Sequence, residues 1–458
     1  MRKPMKIMAA WLVGWLILFV TMMEVSASEE YKPNPVPYLK AGYVTGNLQQ
    51  DIRIADQLIT WQLEHGGWNK NAEETFISRP WNGEEDKSTW KNASGEPLGT
   101  IDNNATNDEI LFLAMIYKET GEVRYKDAAV RGIDFLLKMQ YETGGWPQVF
   151  PASGGYSDHA TFNDSAMIRT MNVLRLYAEQ QYPFNSDITD KERIRYAKEA
   201  LGKGLDFILK SQIVVDGYPT AWCAQHDPYT YEPVKARDYE HPSISGAESA
   251  AIVNYLISIP NPTEEVKKSI VGAIRWFDKV KLDGFTYVSG DPKGAYFYYN
   301  PDSVTWYRFY DIETFEPIFS GRDGVIHHNI HQIEKERRDG YRWAGDWGND
   351  LLKKIKELSY FKDVSYQLDV DRFSLLQQKQ ENRGEQITGT TDAEMSQPDS
   401  VSIALDAEDV LADTDGETSG SKRGTGIWRW LYPVFTAGLG GILFGLGAAF
   451  GKGKFRGK

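Results

Sequence analysis

The stretch that decides the fold class is residues 136–147, LLKMQYETGGWP, which joins the end of an apolar-periodic segment to a Gly-Gly-Trp loop. Ile133, Leu136 and Leu137 recur at the spacing of one helix face, and glycine commonly follows a helix C-terminus. A copy occurs at residues 61–69, WQLEHGGWN, where glutamine again precedes Gly-Gly-Trp by four positions. The repeat predicts helices that end in equivalent loops.

Two looser copies, at residues 211–219 and 279–287, extend the repeat, and amphipathic stretches at 109–120 and 165–180 lie between the copies. Repeated helical units bury their apolar faces against their neighbours. We therefore expect a mainly α fold, an incomplete α/α toroid of helical hairpins around a groove, with irregular loops and short strands. Aromatic loops at the ends of its inner helices would line a sugar-binding rim, or would only stop helices and pack as staples; the pattern leaves both open.

Two short segments, TIDN at residues 100–103 and TFND at 161–164, place a carboxylate beside an amide just ahead of an amphipathic stretch. Thr, Asp and Asn are preferred helix N-caps, so either segment alone is more typical of a cap. At equivalent points of a toroid, however, the two would face each other across a groove. Oxygen donors of this kind suit Ca²⁺. The pair predicts a calcium site with Asp102 and Asp164 as ligands and Asn103 beside them.

Four cations follow in the second half of the body. Arg308 and Arg322 flank a glycine-bracketed loop, and Lys235 and Arg237 come earlier. Basic side chains often only solvate a surface, but arginine also binds carboxylates through two parallel hydrogen bonds. Together with calcium-type carboxylates, the arginines favour a binder of acidic polysaccharide.

Composition excludes several classes of protein. The chain of 458 residues has a formal net charge of −13, which argues against a nucleic-acid partner. Its single cysteine, Cys223, excludes an intramolecular disulfide framework and a cysteine-rich zinc site.

The two ends predict export and attachment to a membrane. Residues 1–27 have the basic start, apolar run and small-residue end of a signal peptide. The catalytic domain is expected at 28–380, followed by an acidic disordered linker at 381–426. An apolar stretch at 427–451 predicts a transmembrane helix, and 452–458 a basic cytoplasmic tail. We expect a protein secreted across the bacterial membrane, with its catalytic domain outside and anchored by this helix.

Several motifs in order resemble the pectate lyases of polysaccharide lyase family 10, over about residues 45–350. Beyond the two aspartate segments these are AQHD at 224–227, PVKAR at 233–237, SISGAES at 243–249, and RFY to RDG between 308 and 324. The resemblance implies a partial α/α toroid, calcium dependence, and cleavage of de-esterified homogalacturonan by anti β-elimination to 4,5-unsaturated oligogalacturonates.

The resemblance also implies a role for each candidate residue. Asp102 and Asp164 would be the calcium-associated carboxylates, with Asn103 next to them at the substrate. Arg308 would hold a substrate carboxylate, and Arg322 would be the catalytic base. Lys235 and Arg237 would also bind substrate. Phe315 and Glu316 replace an expected Asn-Arg pair, which removes one cation near the cleft and puts subsite preference in question.

Two other functions remain open from the residues alone. In an α/α-toroid glycoside hydrolase acting on an acidic polysaccharide, Asp102 or Asp164 would protonate the glycosidic oxygen and the other carboxylate would activate water or attack. A non-catalytic pectin-binding surface protein would use the aromatic rim for capture. A chelator separates the lyase from the hydrolase, and an Arg322→Ala variant that still binds but does not turn over separates an enzyme from a capture protein.

Overall fold

The computed structural model describes residues 31–39, 42–70, 75–292 and 294–362. The predicted signal peptide, linker, transmembrane helix and cytoplasmic tail lie outside these residues. The described helices are α1 Leu48–Trp61, α2 Thr75–Ser78, α3 Asn107–Thr120, α4 Val123–Lys138, α5 Ala166–Ala178, α6 Lys191–Ser211, α7 Gly246–Ile257, α8 Glu264–Val280, α9 Lys335–Gly340 and α10 Asn349–Lys354.

The longer helices pack in two rows. Helices α3, α5 and α7 form a buried row, in which apolar side chains are covered on nearly every face. Helices α1, α4, α6 and α8 form an outer row, each with a buried apolar stripe and an exposed polar face. Each buried helix from α3 onward packs against the outer helix that follows it in the chain. The large apolar core lies between the rows.

The repeated glutamine connects neighbouring outer helices. Gln62 Nε2 donates to Gly66 O in its own loop (2.7 Å) and to Ala128 O in α4 (2.9 Å). Gln140 repeats this pair of bonds, to its own loop and to α6. Buried carbonyls need such partners, so the repeat seen in the sequence is a packing device between consecutive outer helices.

The first glycine of each Gly-Gly-Trp loop permits this close contact. Gly66 and Gly144 have φ of +97° and +104°, and a Cβ at these positions would lie 2.3 and 2.0 Å from the carbonyl oxygens of Arg131 and Lys203. Only glycine combines that backbone conformation with that proximity. The loops follow the outer helices α1 and α4, so the prediction that they end inner helices is wrong.

The tryptophans of these loops are core residues. Trp68 and Trp146 are fully buried, and their Nε1 atoms donate to Leu58 O (2.9 Å) and Leu136 O (2.8 Å) in the preceding helix. Their rings therefore staple the helix ends and offer no face to a sugar. The structure decides between the two readings of the aromatic loops, in favour of helix stops at these two positions.

Thirteen strands accompany the helices in the described part of the chain. They are β1 Gly99–Thr100, β2 Val149–Phe150, β3 Ala160–Thr161, β4 Val214–Val215, β5 Tyr218–Pro219, β6 Gln225–His226, β7 Ile244–Ser245, β8 Leu282–Val288, β9 Tyr296–Tyr307, β10 Phe309–Tyr310, β11 Phe319–Ser320, β12 Ile326–His327 and β13 Ala344–Gly345. Strands β13, β9 and β8 form an antiparallel sheet in that order, and the others pair two by two as β1–β2, β3–β6, β4–β5, β7–β10 and β11–β12.

The predicted mainly α fold class is wrong: the described part of the chain is mixed helix and sheet. Residues 282–310 are rich in Tyr, Phe, Val and Thr, which favour strands. The fourth predicted copy of the helical repeat falls there, and Phe285 pairs with Tyr299 across β8 and β9. Among the described residues no helix is long and apolar enough to cross a bilayer.

A smaller apolar cluster supports the loops that follow β9. Phe309, Phe319 and Trp343 are buried together, with their rings 5.7–6.1 Å apart in the pairs that involve Trp343. This cluster holds Arg308 and the turn that carries Arg322 on a packed base.

Candidate active site

The two aspartate segments form matching turns ahead of buried helices. A 3-10 turn at Asp102–Asn104 precedes α3, and one at Asn163–Ser165 precedes α5. Cα atoms of the two turns lie within 8 Å of each other. Asn103 and Asp164 have φ of 49° and 50°, a left-handed conformation that is uncommon outside glycine. Neither α3 nor α5 receives a side-chain cap, so the helix-cap reading does not explain these residues.

Asp102 already has a cationic partner. Lys70 Nζ lies 2.5 Å from Asp102 Oδ2, and it also lies 4.9 Å from the centre of the Trp90 ring. The Asp102 side chain is 7% exposed and that of Lys70 is 32% exposed. Lys70 was not among the predicted site residues, although it stands two positions after the first Gly-Gly-Trp.

Arg308 joins the second turn to the start of α7. Its Nη2 lies 2.6 Å from Glu248 Oε1, 3.1 Å from Asn163 Oδ1 and 3.4 Å from Asp164 Oδ1. Arg308 and Glu248 are buried, whereas the Asp164 side chain is 42% exposed. The fold therefore brings Arg308 to the predicted calcium carboxylate from 144 residues away in the sequence.

Glu248 is a second residue, after Lys70, that was not among the predicted site residues. Its Oε1 also accepts from the backbone nitrogen of Asp164 at 3.3 Å, and its Oε2 accepts from Ser245 Oγ. Ser245 immediately precedes α7 and Glu248 is the third residue of that helix, which is the spacing of a capping box. That spacing was a signal for a helix start, but only the fold directs the glutamate to Arg308.

Electrostatics keep Arg308 charged in this position. Burial by itself lowers the pKa of Arg308, but Glu248, Tyr341 and Asp164 raise it by more, so the net pKa is above the ordinary arginine value. Its Cζ lies 4.8 Å from the centre of the Tyr341 ring. Arg308 is thus a permanent positive charge next to the exposed Asp164.

Arg237 also lies beside Tyr341. Its guanidinium pairs with buried Glu240 at 2.6 and 2.9 Å, and its Cζ lies 5.8 Å from the Tyr341 ring. Tyr341 OH donates to Glu240 Oε1 at 2.8 Å. Burial lowers the pKa of Arg237, but the hydrogen bond to Glu240 raises it by more. The net pKa therefore lies above the ordinary arginine value. Arg308 and Arg237 therefore lie beside the same aromatic ring, and the charge of Glu240 raises the pKa of both.

Arg322 and Lys235 lie on the exposed side of this cluster. Arg322 is exposed on the turn between β11 and β12, with Nε 3.1 Å from Glu336 Oε2. Exposed Lys235 pairs with Asp238 at 3.2 Å, and its Nζ would lie 3.8 Å from a Cβ added to Gly324 in the Arg322 turn. The predicted cations thus comprise a buried arginine, Arg308, a half-buried one, Arg237, and an exposed pair, Arg322 and Lys235.

The oxygen donors at the two turns fit a hard cation only in part. Asp102, Asp164 and the exposed Asn103 supply oxygen ligands alone, which is the type that Ca²⁺ prefers. Within the described ranges no group of three or more His, Cys, Asp or Glu side chains is arranged to hold a metal ion. A cation here needs further oxygens from substrate or water, which calcium accepts because its coordination is flexible.

Comparisons with known proteins identify the family of this chain. A family model described as pectic acid lyase matches residues 62–352. The structure of a family 10 polysaccharide lyase from Cellvibrio cellulosa is 38% identical, with 67% of this chain and 92% of that chain covered and a TM-score of 0.60. A mutant of a family 10 polysaccharide lyase from Cellvibrio cellulosa, in complex with trigalacturonic acid, is also 38% identical. The match covers 67% of this chain and 93% of that chain, with a TM-score of 0.60. No curated protein sequence matches this chain significantly.

The shared fold and the extent of these matches define the class: this is a polysaccharide lyase. The chain belongs to the pectic acid lyase family, because the family model matches well over half of its length.

Proposed function

We propose that this chain is a pectate lyase that cleaves de-esterified homogalacturonan by anti β-elimination. The observation that carries the proposal is the contact of Arg308 with Asp164, which joins a buried cation to an exposed carboxylate at the predicted calcium turns. The binding of trigalacturonic acid by the Cellvibrio cellulosa relative supports an oligogalacturonate ligand. The exposed cations Arg322 and Lys235, each paired with an acidic side chain, would exchange those partners for the carboxylates of a polyanionic chain.

The reaction breaks two bonds at one sugar. A base removes the proton from C5, the electron pair forms the C4–C5 double bond, and the C4–O bond to the neighbouring sugar breaks. In galacturonate O4 is axial and anti to H5, so one base on the face opposite the leaving oxygen is sufficient. Negative charge grows on the C6 carboxylate during proton removal, and fixed positive charge beside it lowers the barrier. The products would carry a 4,5-unsaturated end.

We propose that Asp102, Asp164 and Asn103 hold Ca²⁺. When bound, the ion would neutralise the carboxylate whose negative charge grows as C5 loses its proton. The chain's own residues prepare for this: Glu248 holds the backbone of Asp164 in its left-handed turn, and Arg308 lies on the buried side of that carboxylate. Asp164 therefore faces outward while its turn stays anchored.

The base is proposed to be an arginine. Arg322 has this role in the resemblance, and its exposed position on the turn between β11 and β12 supports access to substrate. Arg237 is a second candidate, because its guanidinium shares the Tyr341 ring with Arg308, which contacts Asp164. A base must reach its neutral form, so the raised pKa of Arg237 opposes that role as long as Glu240 stays paired.

Lysine variants separate the two arginines. Two quantities are compared between Arg322→Lys and Arg237→Lys. The first is the turnover number, and the second is the affinity for trigalacturonate, measured by calorimetry under conditions that prevent turnover. The variant of the true base should lose about two or more orders of magnitude in turnover number, with binding changed several-fold at most. Equal, small losses of turnover in both variants would overturn the arginine-base proposal.

The reaction itself is tested by the ultraviolet absorbance of polygalacturonate digests, with calcium or with chelator. We expect unsaturated products with calcium and none with chelator. New reducing ends without that absorbance would identify a hydrolase instead, and binding without any cleavage would identify a capture protein. The pattern of residues 1–27 further supports the proposal that the enzyme acts after export.

A further inference from the structure

Lys70 lies where a metal ion would contact Asp102. The distance from Lys70 Nζ to Asp102 Oδ2 is 2.5 Å, and calcium lies about 2.3–2.6 Å from its oxygen ligands. The ammonium group and a calcium ion cannot both contact that oxygen from the same side. Binding of a divalent cation to Oδ2 at the position of that ammonium therefore requires Lys70 to move.

The carboxylate of Asp102 needs a counter-charge at all times. It is 7% exposed, and an unpaired buried carboxylate is strongly disfavoured. Its backbone is also fixed, since Asp102 N donates to Thr100 Oγ1 at 3.0 Å and Thr100 Oγ1 donates to Gln148 O at 2.8 Å. With its backbone held in place, Asp102 keeps its carboxylate at this buried position, and Lys70 supplies the counter-charge.

Lys70 is suited to leave. Its side chain is 32% exposed, and a lysine carries its charge on a long flexible stem that adopts several positions at low cost. Trp90, whose ring centre lies 4.9 Å from the ammonium, offers an aromatic surface beside Asp102 to which the cation can stay attached.

We propose that Lys70 is an internal counter-cation that competes with calcium for Asp102. The inference rests on the proposed calcium site. Lys70 holds the metal-free carboxylate in place and is exchanged when calcium binds, so it weakens calcium binding by the free energy of the Lys70–Asp102 pair. Because the Lys70 side chain is 32% exposed, this pair contributes about 1 kcal/mol, which corresponds to about fivefold in affinity.

Calorimetric titration of the full-length, chelator-stripped protein with calcium alone tests this. Lys70→Met keeps the length of the side chain and removes its charge, and it should bind calcium about fivefold more tightly than the wild type. Lys70→Arg keeps the charge and should stay near the wild-type affinity. Lys91→Met is the matched control, because Lys91 pairs with Asp86 on the surface next to Trp90; its calcium affinity should not change.

The outcomes are distinct for the two proposals. Equal calcium affinity in Lys70→Met and wild type, or weaker binding in a variant whose circular dichroism matches the wild type, would overturn competition by Lys70. Calcium binding by neither protein would overturn the calcium site and with it the exchange. A rise in KM for polygalacturonate with unchanged calcium affinity would make Lys70 a substrate ligand instead.

Discussion

Removal of Glu248 tests the link between the buried arginine and the aspartate turn. Glu248→Ala deletes the carboxylate that lies 2.6 Å from Arg308 Nη2 and 3.3 Å from the backbone nitrogen of Asp164. Arg308 is left buried with only Asn163 and Asp164 as neighbouring oxygens from this cluster. We expect a less stable protein in which the Asp164 turn has lost its anchor.

The size of the effect follows from burial. Breaking a buried ion pair by removing one partner costs about 3–5 kcal/mol, because the other charge stays behind. Asp164 lies 3.4 Å from the same Nη2 and is 42% exposed. It therefore compensates part of the charge left on Arg308, and water can approach the guanidinium beside it. Glu248→Ala should therefore lose about 3 kcal/mol of unfolding free energy. Glu248→Gln keeps an acceptor oxygen and should lose less.

Chemical denaturation followed by tryptophan fluorescence measures this loss. The matched control is Glu199→Ala, which removes an exposed partner of Arg195 on α6 and should leave the midpoint unchanged. If Glu248→Ala were as stable as that control, the buried pair would not hold the site together. In the folded variant at low temperature, KM for polygalacturonate should also rise, since Asp164 is no longer anchored from behind.

Three further outcomes follow from particular residues. Asp164→Ala should lower calcium affinity in calorimetry; an unchanged value would remove Asp164 from the site. Burial raises the pKa of Glu109 to about 8, so its contribution to stability is complete below the unfolded pKa of about 4.3 and is lost as pH rises through about 8. Glu109→Gln should flatten that decline in melting temperature between pH 5 and 8, and parallel curves would refute it. Gly144→Ala should destabilise far more than Gly154→Ala, because both have positive φ but only at Gly144 would a Cβ meet Lys203 O; equal melting temperatures would contradict this.

The helical half of the fold was the most predictable part. The glutamine and glycine of each repeat were visible at residues 61–69 and 136–147, and the apolar spacing ahead of them marks real helices. Helix patterns depend on near neighbours in the chain, which is why they can be read locally. The strands near residues 282–307 were missed although strand-favouring residues are frequent there, because strand preference depends strongly on packing against cross-strand neighbours.

The site, like the fold, was predictable from the sequence only in part. Sequence identified Asp102, Asp164, Arg308 and the other arginines as residue types suited to an acidic sugar and a hard cation. It did not identify Glu248, because a glutamate three residues after a serine is also an ordinary helix start. Which of the candidate residues lie close together in space depends on how segments far apart in the sequence pack against each other.

By itself, then, the sequence determined the repeated helices, the loops that end them and the chemistry available at two turns. Only the tertiary structure decided that the loop tryptophans are core staples, that Lys70 pairs with Asp102, and that Glu248 and Arg308 meet behind Asp164. The reason is physical: helix formation and turns are governed by residues a few positions apart, whereas the charge pairs of the site arise from packing across up to 144 positions.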